Sequence, residues 1–535
     1  MEMTIDKKIG QLMVFGFKGK TATPEIKKLI QQQHVGGIIL FGRNIGTTEE
    51  VLALTTELQK VAKESGHKQP LLICIDQENG VVRRLGEGAT IFPGSMLLGA
   101  TGRSENAYIT GLLTGRELKS LGINWNLAPV LDVNNNPDNP VIGVRSYGES
   151  AEMVAAFGKQ AVKGMQDAGV ITTLKHFPGH GDTNVDSHLD LPTIAHDMER
   201  LKQIELKPFI EVMEQGADTV MTAHVYFPAI EKQPGVPATL SKKVITDLLR
   251  EELGFTGVVT TDCMEMNAIS EGIGTAEGAV AALKAGVDLI MVSHLQSRQY
   301  ETLSLVKAAV QSGEITEGEL DTAYERVKRL KADYLTWEDI PLAATPVVPT
   351  DVGSKFHEVE AFELYKQGIT LVKNEQELLP LNLVEDSRVL VVYPENSYAM
   401  QVEDKRYATF SLGETVHKLH ENTEIFELSN PPTAEEISNL KLIAKDYQAI
   451  IVGTLSVKPR DKQIELVKVL FQENPQIVVI ATRSPYDISY LPDVPAYIAT
   501  YEFTAPALKV AVEAVFGKVT VKGKLPVTLP EKKGE

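Results

Sequence analysis

Residues 169–188 read GVITTLKHFPGHGDTNVDSH, an apolar run followed by a loop carrying Lys175, His176, His180, Asp182, Asp186 and His188. Phe177, Pro178, Gly179 and Gly181 constrain the path of that loop, so its charged groups are not free surface decoration. The apolar run reads as a β-strand and the loop as its carboxyl-terminal extension. In parallel α/β folds, ligands bind at that end of the strands. Asp186 and His188, two residues apart, can form a carboxylate–imidazole hydrogen bond, a device for moving a proton.

The same rhythm extends in both directions. Strands are expected at 12–17, 37–41, 71–76, 124–130, 172–176, 219–224, 258–262 and 289–293. Between them lie helical patterns such as TEEVLALTTELQKVAKES (48–65) and AEMVAAFGKQAVKGMQDAG (151–169), apolar at three- and four-residue spacing. Eight strands alternating with helices over residues 1–336 predict a (β/α)8 TIM-type barrel. A doubly wound open sheet is the competitor, but polar residues end most of the strands rather than one switch point.

The rhythm stops after Leu335. Residues 337–355 hold Pro341, Pro346 and Pro349 and read as a linker. A second α/β pattern fills 356–535, with apolar runs at 369–372, 389–393, 449–453, 477–481 and 496–500. These are expected to form a parallel sheet covered by helices, a smaller αβα sandwich domain.

Composition narrows the partners. The chain is 43% hydrophobic with a net charge of −18 and no basic run, which disfavours nucleic acid and anionic membranes. No apolar stretch approaches the roughly 20 residues of a membrane-spanning helix. The N-terminus lacks the features of a secretory signal, so the chain is expected to be cytoplasmic unless an export segment preceded it. Cys74 and Cys263 read as reduced core thiols, and strand alternation directs Cys263 away from the face of its neighbour Asp262. No cofactor is implied, and oligomeric state is not readable.

Candidate chemistry gathers at the strand ends. LLICIDQENGVVRRL (71–85) places Asp76 there, with Glu78, Arg83 and Arg84 beyond. NPVIGVRSYGES (139–150) supplies Arg145, and GVVTTDCMEM (257–266) supplies Asp262 and Glu265. His224 and His294 end two further strands and could line the mouth or be satisfied strand-end histidines. Two carboxylates at one mouth are the usual equipment for cleaving a glycosidic bond. Lys175, Arg84 and Arg145 offer the fixed donors that a polyhydroxylated ligand needs. His180, Asp182, Glu78 and Glu265 read as loop supports. A metal site built from His176, His180, Asp182 and His188 is disfavoured, because a Pro-Gly turn separates His176 from His180.

The elements IDQENG with VVRRL, RSYG, KHFPGHG with its trailing DSH, VVTTDCMEM, ITLVKNEQELLPL and FGKVTVKGKLPVTLP resemble glycoside hydrolase family 3, in its β-N-acetylglucosaminidase branch. The resemblance implies a retaining enzyme acting on a terminal β-linked N-acetylglucosamine, as in muropeptides of the cell wall. It implies Asp262 as nucleophile, His188 held by Asp186 as acid/base, and Asp76, Arg84, Arg145, Lys175 and His176 as sugar-binding groups. One departure is visible: Asn79 then Gly80 stand where the family usually has two glycines. Alternatives are a phosphorylase, since a histidine dyad does not repel phosphate as a carboxylate acid would, a β-glucosidase or β-xylosidase, or a binding protein that lost its chemistry. The glucosidase and xylosidase branches lack the DSH trailer.

Overall fold

Eight short parallel strands build the first unit: β1 (Met13–Phe15), β2 (Gly37–Leu40), β3 (Leu72–Ile75), β4 (Trp125–Asn126), β5 (Thr173–Phe177), β6 (Thr219–Thr222), β7 (Val258–Thr261) and β8 (Ile290–Val292). The computed structural model describes residues 3–340, 342, 345–395, 403, 411–491 and 493–530. Pairing runs β4-β3-β2-β1-β8 in one sheet and β5-β6-β7 in another. Parallel bridges Trp125–Ile171 and Val130–Lys175 join β4 to β5, and Thr260–Leu289 joins β7 to β8. The ring is therefore closed, a (β/α)8 barrel whose strand ends share one mouth.

Local sequence explains the elements. Thr47 caps the helix Thr48–Glu64, and the Glu50 carboxylate accepts the Thr47 N–H in return at 2.9 Å. Its apolar positions, among them Val51, Leu54 and Leu58, are buried in the barrel core. β4 is shorter than the expected 124–130. Pro129 has no N–H to give a ladder, so regular pairing ends before it. Trp125 fills the barrel interior, fully buried, and its Nε1 donates to Thr173 Oγ1 at 2.7 Å.

The second unit is an α/β sandwich with strands β9 (Thr370–Asn374), β10 (Val389–Pro394), β11 (Thr423–Leu428), β12 (Ala449–Thr454), β13 (Ile477–Ala481) and β14 (Ala496–Ala499). Their order is β11-β10-β12-β13-β14-β9. Two expectations are corrected here. β11, reading TEIFEL, was not anticipated, because it is an edge strand with mostly exposed side chains and shows no continuous apolar run. The sheet is also not wholly parallel: β9 pairs antiparallel with β14 at the opposite edge, a common arrangement for an edge strand of an otherwise parallel sheet.

The units share a core. Val81, Val82, Phe92, Met96 and Leu97 of the first pack in one apolar cluster with Tyr365, Ile369 and Val515 of the second. The Gly94 N–H donates to Glu502 Oε2 at 2.7 Å, and Asn134 Nδ2 donates to Tyr486 Oη at 2.9 Å. Within the expected linker, Val348 and Val352 pack against the barrel. Positions 341, 343 and 344 lie outside the described residues. No helix among the described residues is long and apolar enough to cross a membrane.

One buried charge has a measurable consequence. Lys331, on the helix Glu317–Tyr334, is fully buried and donates to Gln11 Oε1 at 2.8 Å and Gly36 O at 2.9 Å, both neutral acceptors. Burial pushes its ammonium pKa down from 10.5 to about 7. Between those values the unfolded chain binds a proton that the folded chain does not, so this group favours folding more as pH rises. The stability difference between the wild-type chain and Lys331→Met should shift towards the wild type from about pH 7 to about pH 10, read by urea denaturation at each pH.

Candidate active site

A cavity of about 400 Å³ opens at the carboxyl ends of the barrel strands. Asp76, Arg84, Arg145, Lys175, His176, His188 and Asp262 all line it, so seven residues scattered over some 190 positions of sequence meet there. Asp186 stands behind His188 rather than in the wall: His188 Nδ1 lies 2.7 Å from Asp186 Oδ1, which also accepts the His188 N–H at 2.9 Å.

The floor is a chain of buried ion pairs. Lys175 Nζ lies 2.8 Å from Asp76 Oδ1 and 2.7 Å from Glu78 Oε1. Arg145 donates from Nε and Nη2 to Glu78 at 2.9 and 2.7 Å, and from Nη1 to Val141 O at 3.0 Å. Arg84 Nη2 is 3.9 Å from Asp76 Oδ2. Burial opposes the charge on Glu78, yet Arg145 and Lys175 hold its carboxyl well below the usual range. Burial likewise opposes the Lys175 ammonium, and Asp76 and Glu78 outweigh it, raising its pKa. Glu78 thus supports more than a loop: it keeps two cations charged inside the protein.

Asp132 is an anchor beneath the site that the sequence reading passed over. It is buried and accepts from the His180 N–H at 2.7 Å, while its Oδ2 lies 2.7 Å from His176 Nδ1. Burial opposes its ionisation, but His176 and His180 lower its pKa. The signal was available: Asp132 stands two residues beyond the apolar run expected at 124–130. Gly181 lets the loop reach this anchor, since a Cβ there would meet Val133 O at 1.8 Å. His180 braces the loop, with Nδ1 2.9 Å from Thr183 Oγ1 and Nε2 2.9 Å from Ser187 Oγ. Burial and the neighbouring His176 lower its pKa to about 4. Asp182 lies 2.6 Å from His196 Nε2.

Asp262 follows β7 and accepts the Cys263 N–H at 2.6 Å. Burial opposes its charge, while His224, His176 and His188 together with that N–H hold its carboxyl below the usual range. His224 is a satisfied buried histidine, 3.0 Å from Cys263 O and 2.7 Å from Thr239 Oγ1, whereas His294 lines the cavity. Cys263 corrects an expectation: it lines the same cavity as Asp262, because the chain leaves the strand at Thr261 and alternation no longer governs it. Glu265 accepts the N–H groups of Ser293, His294 and Leu295 at 2.8, 2.6 and 2.9 Å, a loop support as expected. Asn79 keeps the turn after Glu78 at φ 71°, a left-handed conformation that asparagine tolerates.

Residues 4–330 match the glycosyl hydrolase family 3 N terminal domain, and residues 369–535 match the glycosyl hydrolase family 3 C-terminal domain. The chain belongs to glycosyl hydrolase family 3. It is a glycoside hydrolase. The chain is 32% identical to Beta-hexosaminidase A of Pseudoalteromonas piscicida, over 95% of this chain and 92% of that protein. It is 28% identical to Beta-N-acetylglucosaminidase/beta-glucosidase of Cellulomonas fimi, over 98% and 94%. A solved family 3 beta-N-acetylglucosaminidase from Paenibacillus sp. str. FPU-7 superposes with a TM-score of 0.91 at 43% identity, over 99% of both chains.

The second unit contributes to the wall. Glu403 lines the cavity and pairs with the buried Arg483. A second cavity of about 540 Å³ lies where Arg103, Lys366, Lys518 and Lys522 meet. The buried floor carries the site's clearest stability prediction. Glu78→Gln strands Arg145 as a buried cation and leaves Lys175 with Asp76 alone, and should cost about 3–5 kcal/mol in chemical denaturation. Lys355→Ala, which breaks only the exposed Lys355–Glu358 pair, should cost less than about 1 kcal/mol.

Proposed function

We propose that this enzyme is a retaining exo-β-N-acetylglucosaminidase that releases terminal β-linked N-acetylglucosamine, with muropeptides of the cell wall as its natural substrates. One observation carries the reading: His188 faces the cavity that holds Asp262, with Nδ1 taken by Asp186 at 2.7 Å, which leaves Nε2 for the substrate. The names borne by the 32% and 43% identical relatives support the same sugar.

In this mechanism Asp262, kept ionised by its surroundings, attacks the anomeric carbon and forms a glycosyl ester. The glycosidic oxygen leaves with the proton from His188 Nε2, and Asp186 stabilises the charged imidazole on its other side. In the second half the neutral ring takes a proton from the incoming water, which attacks the same carbon and frees Asp262. Asp76, Lys175, Arg84 and His176 hold the sugar hydroxyls across the floor, in an orientation fixed by Glu78 and Asp132.

Phosphorolysis shares the glycosyl-Asp262 intermediate and differs only in the acceptor. Initial rates on p-nitrophenyl β-N-acetylglucosaminide and β-glucoside, each with and without phosphate, decide both sugar and acceptor. The acetamido sugar should be preferred, with free N-acetylglucosamine as product. A glucoside preference, or a sugar phosphate product, overturns the corresponding part of the reading.

Asp262→Ala should lower kcat by at least about 10⁴-fold. His188→Ala should lower kcat/KM on a disaccharide by about 10²–10⁴-fold and on p-nitrophenyl glycosides far less, because nitrophenolate leaves without a proton. Comparing kcat/KM confines the test to the steps that form the intermediate. Equal losses on both substrates remove His188 from the role of acid.

A further inference from the structure

The cavity wall holds a cluster of ligand-bearing side chains that the mechanism does not use. Cys263 Sγ, a carboxylate oxygen of Glu265 and a ring nitrogen of His294 lie within 4.8 Å of one another. Cys263 and His294 both line the cavity, and Cys263 directly follows Asp262. Backbone geometry holds the three together. The Glu265 carboxylate accepts three N–H groups from Ser293, His294 and Leu295, which staples the loop after β8 to the loop after β7. An ionised carboxylate has about four lone-pair positions; these three amides leave one, which the Cys263 thiol takes at 3.9 Å and which is freed when that thiol gives up its proton.

We propose that Cys263, His294 and Glu265 form a binding site for a thiophilic divalent cation of the zinc or cadmium type, set in the wall of the catalytic cavity. One sulfur, one imidazole nitrogen and one carboxylate oxygen are the donor set that such ions take, and a poor one for magnesium or calcium. Bond lengths of about 2.0–2.3 Å require donor atoms roughly 3.5 Å apart. Cys263 Sγ and Glu265 Oε2 are already 3.9 Å apart, and no pair must close by more than about an ångström, a movement that the exposed His294 ring is free to make. The fourth position faces the cavity, where water completes a tetrahedral shell. As the sulfur–metal bond forms, the Cys263 S–H bond breaks and its proton passes to solvent, one proton per ion.

Occupancy has a consequence for turnover. The ion would stand beside Asp262, place positive charge at the nucleophile and take space at the mouth, so the site makes the enzyme inhibitable by zinc-type ions. Arg43 works against binding. Its Nη2 donates to Ser293 O at 2.6 Å, and its guanidinium lies 4.3 Å from the Phe41 ring, which itself lies 5.1 Å from the His294 ring. A resident cation this close lowers affinity for a second one, so removing the Arg43 charge should tighten metal binding.

The test is a titration of the full-length protein with cadmium, followed by thiolate-to-cadmium charge-transfer absorption, which does not depend on any substrate. One equivalent should develop the band with release of about one proton. Cys263→Ser and Cys263→Ala should abolish it, although Cys74 remains. Even outer-shell losses at metal sites cost about 10–100-fold in affinity, so His294→Ala should weaken binding by at least about tenfold. Arg43→Gln should strengthen it. Absence of the band at large excess, its survival in the Cys263 variants, or unchanged affinity in His294→Ala overturns the proposal. Inhibition of hydrolysis by cadmium, relieved by a chelator, should follow the same variants.

Discussion

A carboxylate between two cations, Glu78 with Arg145 and Lys175, is the constraint on which the mouth of this barrel depends. All three side chains are nearly excluded from solvent. An unpaired ion in such surroundings is costly, so the three must meet or the fold fails locally. Glu78 comes from the loop after β3, Arg145 from the segment after β4 and Lys175 from β5. Satisfying one buried charge therefore sets three strand ends in register. Asp76 and Arg84 extend the same network to the cavity surface.

The next loop is built on the same principle. Asp132 folds the residues after Lys175 around itself by binding the backbone and ring of His176 and the backbone of His180. Beyond these anchors, His188 stands at the rim with about a third of its side chain exposed. The floor is thus rigid and the dyad freer. That division suits the proposed reaction, in which a sugar is held still while a proton is delivered and later retrieved.

The sandwich unit is part of this construction. Its apolar core is continuous with Val82, inside the Asp76–Arg84 turn, and with Phe92 and Met96 in the segment just after it. Glu502 accepts the Gly94 N–H and the Tyr365 hydroxyl, binding that segment to the second unit through a buried carboxylate. With Glu403 in the cavity wall, both units shape the space beside the charged floor.

Sequence by itself determined the kind of molecule this is. Continuous apolar runs and amphipathic helices required a barrel and a sheet, because each run and each apolar helix face had to be buried. The strand-end residues Asp76, Lys175 and Asp262 and the Asp186–His188 pair were legible for the same reason: a charge that ends an apolar strand has nowhere to go but the mouth. What it could not supply was everything that depends on distance between remote segments. The edge strand β11 and the reversed β9 depend on which neighbours a strand finds. The role of Asp132 depends on two histidines folded onto it, the double pairing of Glu78 on cations 67 and 97 residues away, and the place of Cys263 on where its strand ends. Periodicity and composition report which surfaces must be covered. Only closure of the barrel decides which buried charge meets which, because a buried ion is stabilised by a partner within a few ångströms and not by its place in the chain.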